Sequence, residues 1–526
     1  MKRRTLLTTA AAAAAMPRSF AIAPPARTRT LRFVPQANLT LLDPIFTTAL
    51  VTINHGWAIY DTLFGANNKQ ELKPQMAEGY TVSDDGRTYL IKLREGLKFH
   101  NGEPVRAQDA APSLKRWAAR ETIGQTVAKF VEDWGVQDDR TIKITMTQKL
   151  PIFIEAIGKG GASVPFIMPE HIAKTDPFRQ VTETIGSGPL KFVKGEFVPG
   201  SSVVYERNTD YVPRQEPAEW TAGGKVMHFD RIEWKVIPDS ATASAALQAG
   251  EIDWYEQVQA DLVPLLRKDP NIAIGSANPT GFNGVLRFNH LHPPFDNVAI
   301  RRAVMMGVNQ ADYMAAITGN DPTAFRVCRA VLPCGTAYGR EIGAEQMPAS
   351  IEKAKAALKA AGYKGEKVVI INPTDFVTIG PMGDVTYDLL KQMGMNVEIV
   401  QTDWGTVTQR RASKEPSEKG GWNILHTWAP SIVVDDPVKQ WFARGLGSTG
   451  WFGWYKDDEI EQLTRNWLLA QSSADQNATA EAFQRRAFDN VPFVPIGQFQ
   501  IRTAYRKNLT GLIEATGAYF WNIRRT

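Results

Sequence analysis

Cysteine is nearly absent: Cys328 and Cys334 are the only two in 526 residues. A framework of several disulfides is therefore excluded. The five residues between them, in Cys328-Arg329-Ala330-Val331-Leu332-Pro333-Cys334, do not give the spacing of a structural zinc site. In an oxidising compartment the pair forms a small-loop disulfide if the geometry allows, and otherwise stays as two free thiols. No apolar run is long enough to span a bilayer. An excess of one charge is also lacking. The formal net charge is +5, but Lys2, Arg3, Arg4 and Arg18 lie in the first 21 residues, which hold no acid, so the remainder stands at +1 (5 − 4). Such a balance gives no footing for nucleic acid, which needs a basic face.

Catalytic signatures are missing as well. There is no G-x-S-x-G elbow and no H-E-x-x-H. Gly445-Leu446-Gly447-Ser448-Thr449-Gly450 fits G-x-G-x-x-G in letters but lacks the strand before and the helix after, so it reads as a loop. His290 and His292 point to one side of a strand without acidic or cysteine partners, and packing accounts for them.

What is present is length, aromatic residues and turn chemistry. A chain of 526 residues exceeds one compact core, so two or more lobes are expected. Fourteen tryptophans suggest an aromatic-lined cavity in addition to core packing. Residues 1–21 read as a signal peptide: Lys2-Arg3-Arg4, an alanine-rich stretch from Leu6 to Met16, then Ser19-Phe20-Ala21 as a small-x-small cleavage site. Arg3-Arg4-Thr5-Leu6-Leu7 resembles a twin-arginine signal, with the general secretory route as the alternative. No cysteine follows the cleavage site, so a free periplasmic product without a lipid anchor is expected.

Leu31-Arg32-Phe33-Val34 starts a first strand, and Thr141 to Thr147 alternates as an antiparallel strand with one wet face. Ser350 is placed to cap a helix that stops at Gly362, and Val385, Leu389 and Met393 share a face of a helix ending at Gly394. With apolar strands at 367–371 and 397–400, this predicts a βαβ unit with parallel pairing and no Gly-rich first turn, hence no dinucleotide site.

The longest signal is Asp85-Gly86-Arg87-Thr88-Tyr89-Leu90-Ile91-Lys92-Leu93-Arg94-Glu95-Gly96-Leu97-Lys98-Phe99-His100-Asn101-Gly102-Glu103-Pro104, continuing to Asp109. It reads as a turn, a strand, a Gly turn and a helix start. With Tyr60-Asp61-Thr62-Leu63-Phe64, Gly186-Ser187-Gly188-Pro189-Leu190, Ala245 to Asp253, Leu286 to Asn289 and Pro293 to Ala303, it resembles the bacterial extracellular solute-binding proteins that serve peptide, opine and nickel ABC importers. The likeness runs from about Leu31 to about Leu512.

This resemblance implies an α/β, bilobal, type II periplasmic-binding-protein-like fold with an extra subdomain in the first lobe. Lobe one would take residues 22–68, 186–280 and 497–526, its subdomain 69–185, and lobe two 281–496. It implies a non-enzymatic monomer without a cofactor. Its partners would be a small, peptide-like or other organic solute and the permease and ATPase subunits of an importer. The alternative from another class is an exported hydrolase or metal-binding protein.

Eight aromatic residues crowd between Trp404 and Trp454. In the resembled family a strand and its exit loop, ending here at Asp436-Pro437, line the cleft, as ligands of open α/β sheets lie beyond strand carboxyl ends. Trp428 is thus the candidate stacking residue, with His426 and Asp435 as polar contacts and Trp404 as a second stacker. Asn283 is a candidate for the hinge or rim, and Arg326 for a carboxylate contact. The aspartate with which the family's peptide binders hold an α-ammonium falls on Val433, so the likeness does not extend to that contact.

Overall fold

The computed structural model describes residues 29–526 apart from 162 and 320. The signal-peptide expectation at residues 1–21 lies outside the described residues.

Two large sheets organise the chain. The first has seven strands in the spatial order 272–276, 502–506, 254–258, 30–34, 231–235, 202–207 and 190–192. Thr30–Val34 is central and runs parallel to both neighbours. It forms where the first strand is expected, with Leu31, Phe33 and Val34 buried. Phe33 lies edge-on to Trp234, Trp254 and Phe520 at centroid distances of 5.6, 4.8 and 5.2 Å. Such rings carry much of the apolar burial that stabilises a core.

The second sheet has six strands in the order 325–326, 493–499, 282–288, 424–430, 368–373 and 397–402. The expected βαβ unit is here: Val368–Pro373 pairs in parallel with Val397–Thr402 across the helix Gly380–Met393. Gly394 ends that helix in the left-handed region at φ +86°, as a C-terminal glycine does. Ser350 caps Ile351–Ala360 by accepting from Lys353 N. A third, antiparallel sheet of four strands (77–82, 88–93, 141–146 and 131–138) is built on the long sequence signature.

The signature is a structural lock. His100 N donates to Gly186 O at 2.8 Å, and Gly186 N returns to His100 Nδ1 at 3.3 Å. Position 186 must be glycine, since a Cβ there would sit 1.8 Å from Ile59 O. Two stretches that stand out separately in the sequence are thus halves of one joint.

The chain passes between the two large sheets at 277–281 and again at 500–501, and the passages lie side by side. Ser276 pairs with Arg502 in the first sheet, Ala277 N donates to Ile501 O at 2.9 Å, and Phe282 pairs with Phe499 in the second. The return falls at Gln500-Ile501, later than the expected 497, because Gly497, Gln498 and Phe499 still belong to the strand Phe493–Phe499. Asn278 shapes the outward bend: its Oδ1 accepts from Thr280 N and its Nδ2 donates to Gly281 O.

Beneath the first sheet, Lys225 is fully buried and donates to Asp61 Oδ1 at 2.7 Å. Its ammonium lies 4.9 Å from the Trp57 ring and 5.0 Å from that of Trp521, and Tyr211 donates to the other Asp61 oxygen at 2.9 Å. Removing one member of a buried pair strands its partner's charge, at a cost of about 3–5 kcal/mol. Asp61→Asn is expected to lose that much stability in urea unfolding; a loss under about 1 kcal/mol would show that water reaches Lys225.

Candidate functional site

Between the two large sheets lie two adjoining cavities that share Thr48 and Trp441. The inner one, about 40 Å³, is built at strand ends and helix starts. Gln36 follows the central strand of the first sheet, and Thr48, Ala49 and Leu50 open the helix Leu50–Ile59. From the other half come the carboxyl end of the strand Ile424–Pro430, Trp404 at the start of its own short helix, and Arg411 just past that helix. The outer cavity, about 260 Å³, is walled by Phe46, Arg120 and Phe178 on one side and Lys414, Trp451 and Trp454 on the other.

The halves touch across this gap. Arg411 Nη2 donates to Thr47 Oγ1 at 2.9 Å, Trp451 Nε1 to Thr48 Oγ1 at 3.2 Å, and Arg444 Nη2 to Thr126 Oγ1 at 2.9 Å. From the opposite side, Gln125 Nε2 donates to Thr449 O at 3.1 Å. Arg411 is 2% exposed, with its guanidinium 4.6 Å from the Phe452 ring and 5.7 Å from that of Trp404. Burial pushes its pKa down to about 9, which leaves it charged at neutral pH.

Two sheets joined by paired crossings around an aromatic gap is the architecture that the sequence implied. The profile described as "Bacterial extracellular solute-binding proteins, family 5 Middle" matches residues 71–448. The chain belongs to this family. It is 38% identical over 492 residues to a probable peptide ABC transporter periplasmic-binding protein of Sinorhizobium fredii, covering 93% of this chain and 92% of that one. It is 27% identical to the glutathione-binding protein of Escherichia coli over 90% of each chain. Among solved structures it superposes on the binding protein AgaA of A. tumefaciens in complex with agropinic acid, with a TM-score of 0.79 at 20% identity, covering 94% and 99% of the two chains. A dipeptide-binding protein of Pseudoalteromonas in complex with Met-Leu gives 0.77 at 19%, covering 94% and 100%. These likenesses show the bilobal type II fold.

Within this family member the sequence-predicted residues divide. Trp428 and Trp404 both line the inner cavity. Trp428 is held there by its Nε1 bond to Thr378 Oγ1 at 2.9 Å and by Phe282 at 4.5 Å, and Trp404 packs on Phe376 at 5.0 Å.

His426 lies elsewhere. It is buried, with Nε2 2.7 Å from Thr386 Oγ1, and lines neither cavity. Asp435 also lines neither; it is paired with Lys439 at 3.0 Å. Asn283 donates to Ser431 Oγ at 3.0 Å beside the crossing. Arg326 donates to Gln498 Oε1 at 2.7 Å and faces a recess next to the crossing instead of the gap between the sheets. Cys328 and Cys334 are bonded, and Gln310 holds Cys328 through its backbone N and O. His290 Nδ1 and His292 Nε2 each meet a backbone carbonyl, and among the described residues no three metal-binding side chains gather. No helix of the described residues is long and apolar enough to cross a membrane.

Arg411, Arg120 and Lys414 were missed. Arg411 and Lys414 fall inside the aromatic crowd, but Glu415 stands within four residues of both, so a local reading leaves them on a solvated surface.

Burial pushes the His426 imidazole from its usual 6.5 down to about 3. The folded chain therefore keeps it neutral while the unfolded chain protonates below about 6.5, so its contribution is complete above that pH and is lost as pH falls toward 3. Glutamine has no such dependence. The stability gap between wild type and His426→Gln should narrow by about 2 kcal/mol between pH 7 and pH 5 in urea unfolding, and an unchanged gap would place the ring in water.

Proposed function

We propose that this chain is the substrate-binding component of an ABC importer, free in the periplasm after export, by the twin-arginine route in the reading of residues 1–21. It takes a peptide-like or other small organic solute between its halves and presents it, closed, to a membrane permease driven by an ATPase. In this reading it works as a monomer and without a cofactor. The lobes expected from the sequence are 22–68, 186–280 and 497–526 for the first, with the subdomain at 69–185, and 281–496 for the second; the return boundary is taken at 500–501 to keep the strand Phe493–Phe499 whole. The names of the relatives from Sinorhizobium fredii and Escherichia coli support the solute class.

The observation that carries the reading is the pair of adjacent crossings combined with hydrogen bonds spanning an aromatic gap. Bending at one ribbon opens or shuts the gap, and a solute that contacts both walls favours the shut form. Taking the population from mostly open to mostly shut needs about 5.5 kcal/mol of differential affinity. Buried rings and charge-assisted hydrogen bonds supply energies of that order.

A screen of small peptides and organic acids against the purified protein tests this. A ligand present at 100 times its Kd stabilises the fold by about 2.7 kcal/mol, so the melting temperature rises. The radius of gyration from X-ray scattering is expected to fall with the same ligand, and a rise in melting temperature at constant radius would refute closure. Conversion of the ligand to product would favour the exported-hydrolase alternative, and co-purifying metal a metalloprotein.

Gln125 lines neither cavity, yet it bridges the halves. Gln125→Ala is expected to weaken apparent affinity about 2- to 10-fold, the worth of one hydrogen bond, measured by calorimetric titration. Unchanged affinity would separate this contact from binding.

A further inference from the structure

Resting on that solute-binding reading, we infer that the solute is an acidic organic molecule with two separated anionic groups. One sits between Arg411 and the start of the helix Leu50–Ile59; the other reaches Arg120 and Lys414.

Buried arginines elsewhere in the chain show what a satisfied guanidinium looks like. Arg116 has both oxygens of Asp43, and Arg444 has Glu461. Arg287 and Arg301 have no carboxylate but are held by carbonyl groups: Arg287 donates to Phe442, Phe452 and Pro492, and Arg301 to Phe295, Asp296, Asn490 and Val491. Arg411 differs from all four. Its guanidinium donates to the Thr47 hydroxyl and is otherwise surrounded by the rings of Phe452, Trp404 and Trp451; its Nε, like that of Arg116, is buried without a partner, but among the described residues no carboxylate comes within ion-pair distance to compensate it. A guanidinium left so in a cavity wall is costly unless an anion joins it.

The same cavity receives the first residues of a ten-residue helix with no acid in its first turn. Its N-terminal backbone dipoles favour negative charge at that spot. Cation and helix end come from opposite halves, so an anion between them draws the halves together.

The outer cavity repeats the pattern. Arg120 donates one bond, from Nη2 to Phe46 O at 2.9 Å, and lies 5.0 Å from the rings of both Phe46 and Phe178; its Nε is buried without a partner, and its neighbour Asp43 is already taken by Arg116. Lys414 Nζ donates to Ser448 O and lies 5.5 Å from the Trp454 ring. The acid on these walls, Glu121, is already held by Lys159 at 2.6 Å and by Gly124 N at 2.8 Å. The two cavities therefore hold uncompensated positive charge and no carboxylate free to receive an α-ammonium.

The test uses the purified protein and N-acetyl-Ala-Glu, which carries two carboxylates and no ammonium. Its companions are its α-amide, N-acetyl-Ala-Gln, the fully neutral N-acetyl-Ala-Gln amide, and Ala-Ala. Calorimetric titration is expected to show binding of the dianion, with each lost carboxylate weakening it about 10- to 100-fold. Arg411→Gln is expected to remove the sensitivity to one carboxylate and Arg120→Gln to the other. Should Arg411→Gln fail to fold, the wild-type amide series and Arg120→Gln decide the question. Equal or tighter binding of the neutral amide or of Ala-Ala, with a fall in radius of gyration, overturns the acidic solute and leaves solute binding intact. No binding and no change in radius with any probe, charged or neutral, overturns both.

Discussion

Two neighbouring segments carry the chain between its halves, and they are hydrogen-bonded to each other at the crossing. The antiparallel register runs from Ser276 with Arg502 through the Ala277–Ile501 bond to Phe282 with Phe499. The rest of the structure depends on this ribbon. Because both passages share one line, the halves can rotate about it, while sliding would break the ladder. The gap is accordingly framed by groups that lie far apart in the chain: Thr47 and Arg411 meet across 364 residues.

Local chemistry was readable from the sequence wherever a short run of residues decides the outcome. Ser350 as a cap, Gly394 as a helix stop and the parallel unit around 380–393 each follow from a few neighbours. The aromatic crowd is likewise visible in the sequence, and with the family resemblance it leads to Trp404 and Trp428, which both line the inner cavity. The failures lie where packing decides. All seven residues of the strand Ile424–Pro430 are buried, so alternation along it distinguishes no wet face, and His426 could not be told from a cleft residue. Asp435 was within reach of local reasoning, since Lys439 stands four residues on, the spacing of a helical ion pair. Arg411 was not: an arginine reads as surface until tertiary structure buries it.

Buried charge is handled in distinct ways in this molecule. Asp61 with Lys225 and Asp43 with Arg116 are closed pairs that fix the first half. Arg287 and Arg301 are held by backbone carbonyls, Arg287 also lying 5.5 Å from the Trp451 ring, and tie loops of the second half together. Burial lowers the pKa of Arg287 to about 9 and of Arg301 to about 10, so both remain cations at neutral pH. Closed pairs and carbonyl cages make rigid bodies, and rigid bodies are what a hinged clamp requires on either side of its ribbon.

The C-terminal segment belongs to the earliest part of the chain. Trp521 shields Lys225, Phe520 packs on Phe33, Ala518 N donates to Asn54 and Arg525 pairs with Asp253. During synthesis from the N-terminus, the first sheet thus stays incomplete until the strand Arg502–Arg506 has been made. A nascent chain stalled before residue 502 would hold an open first half with the Lys225 ammonium bare on the side that Trp521 covers.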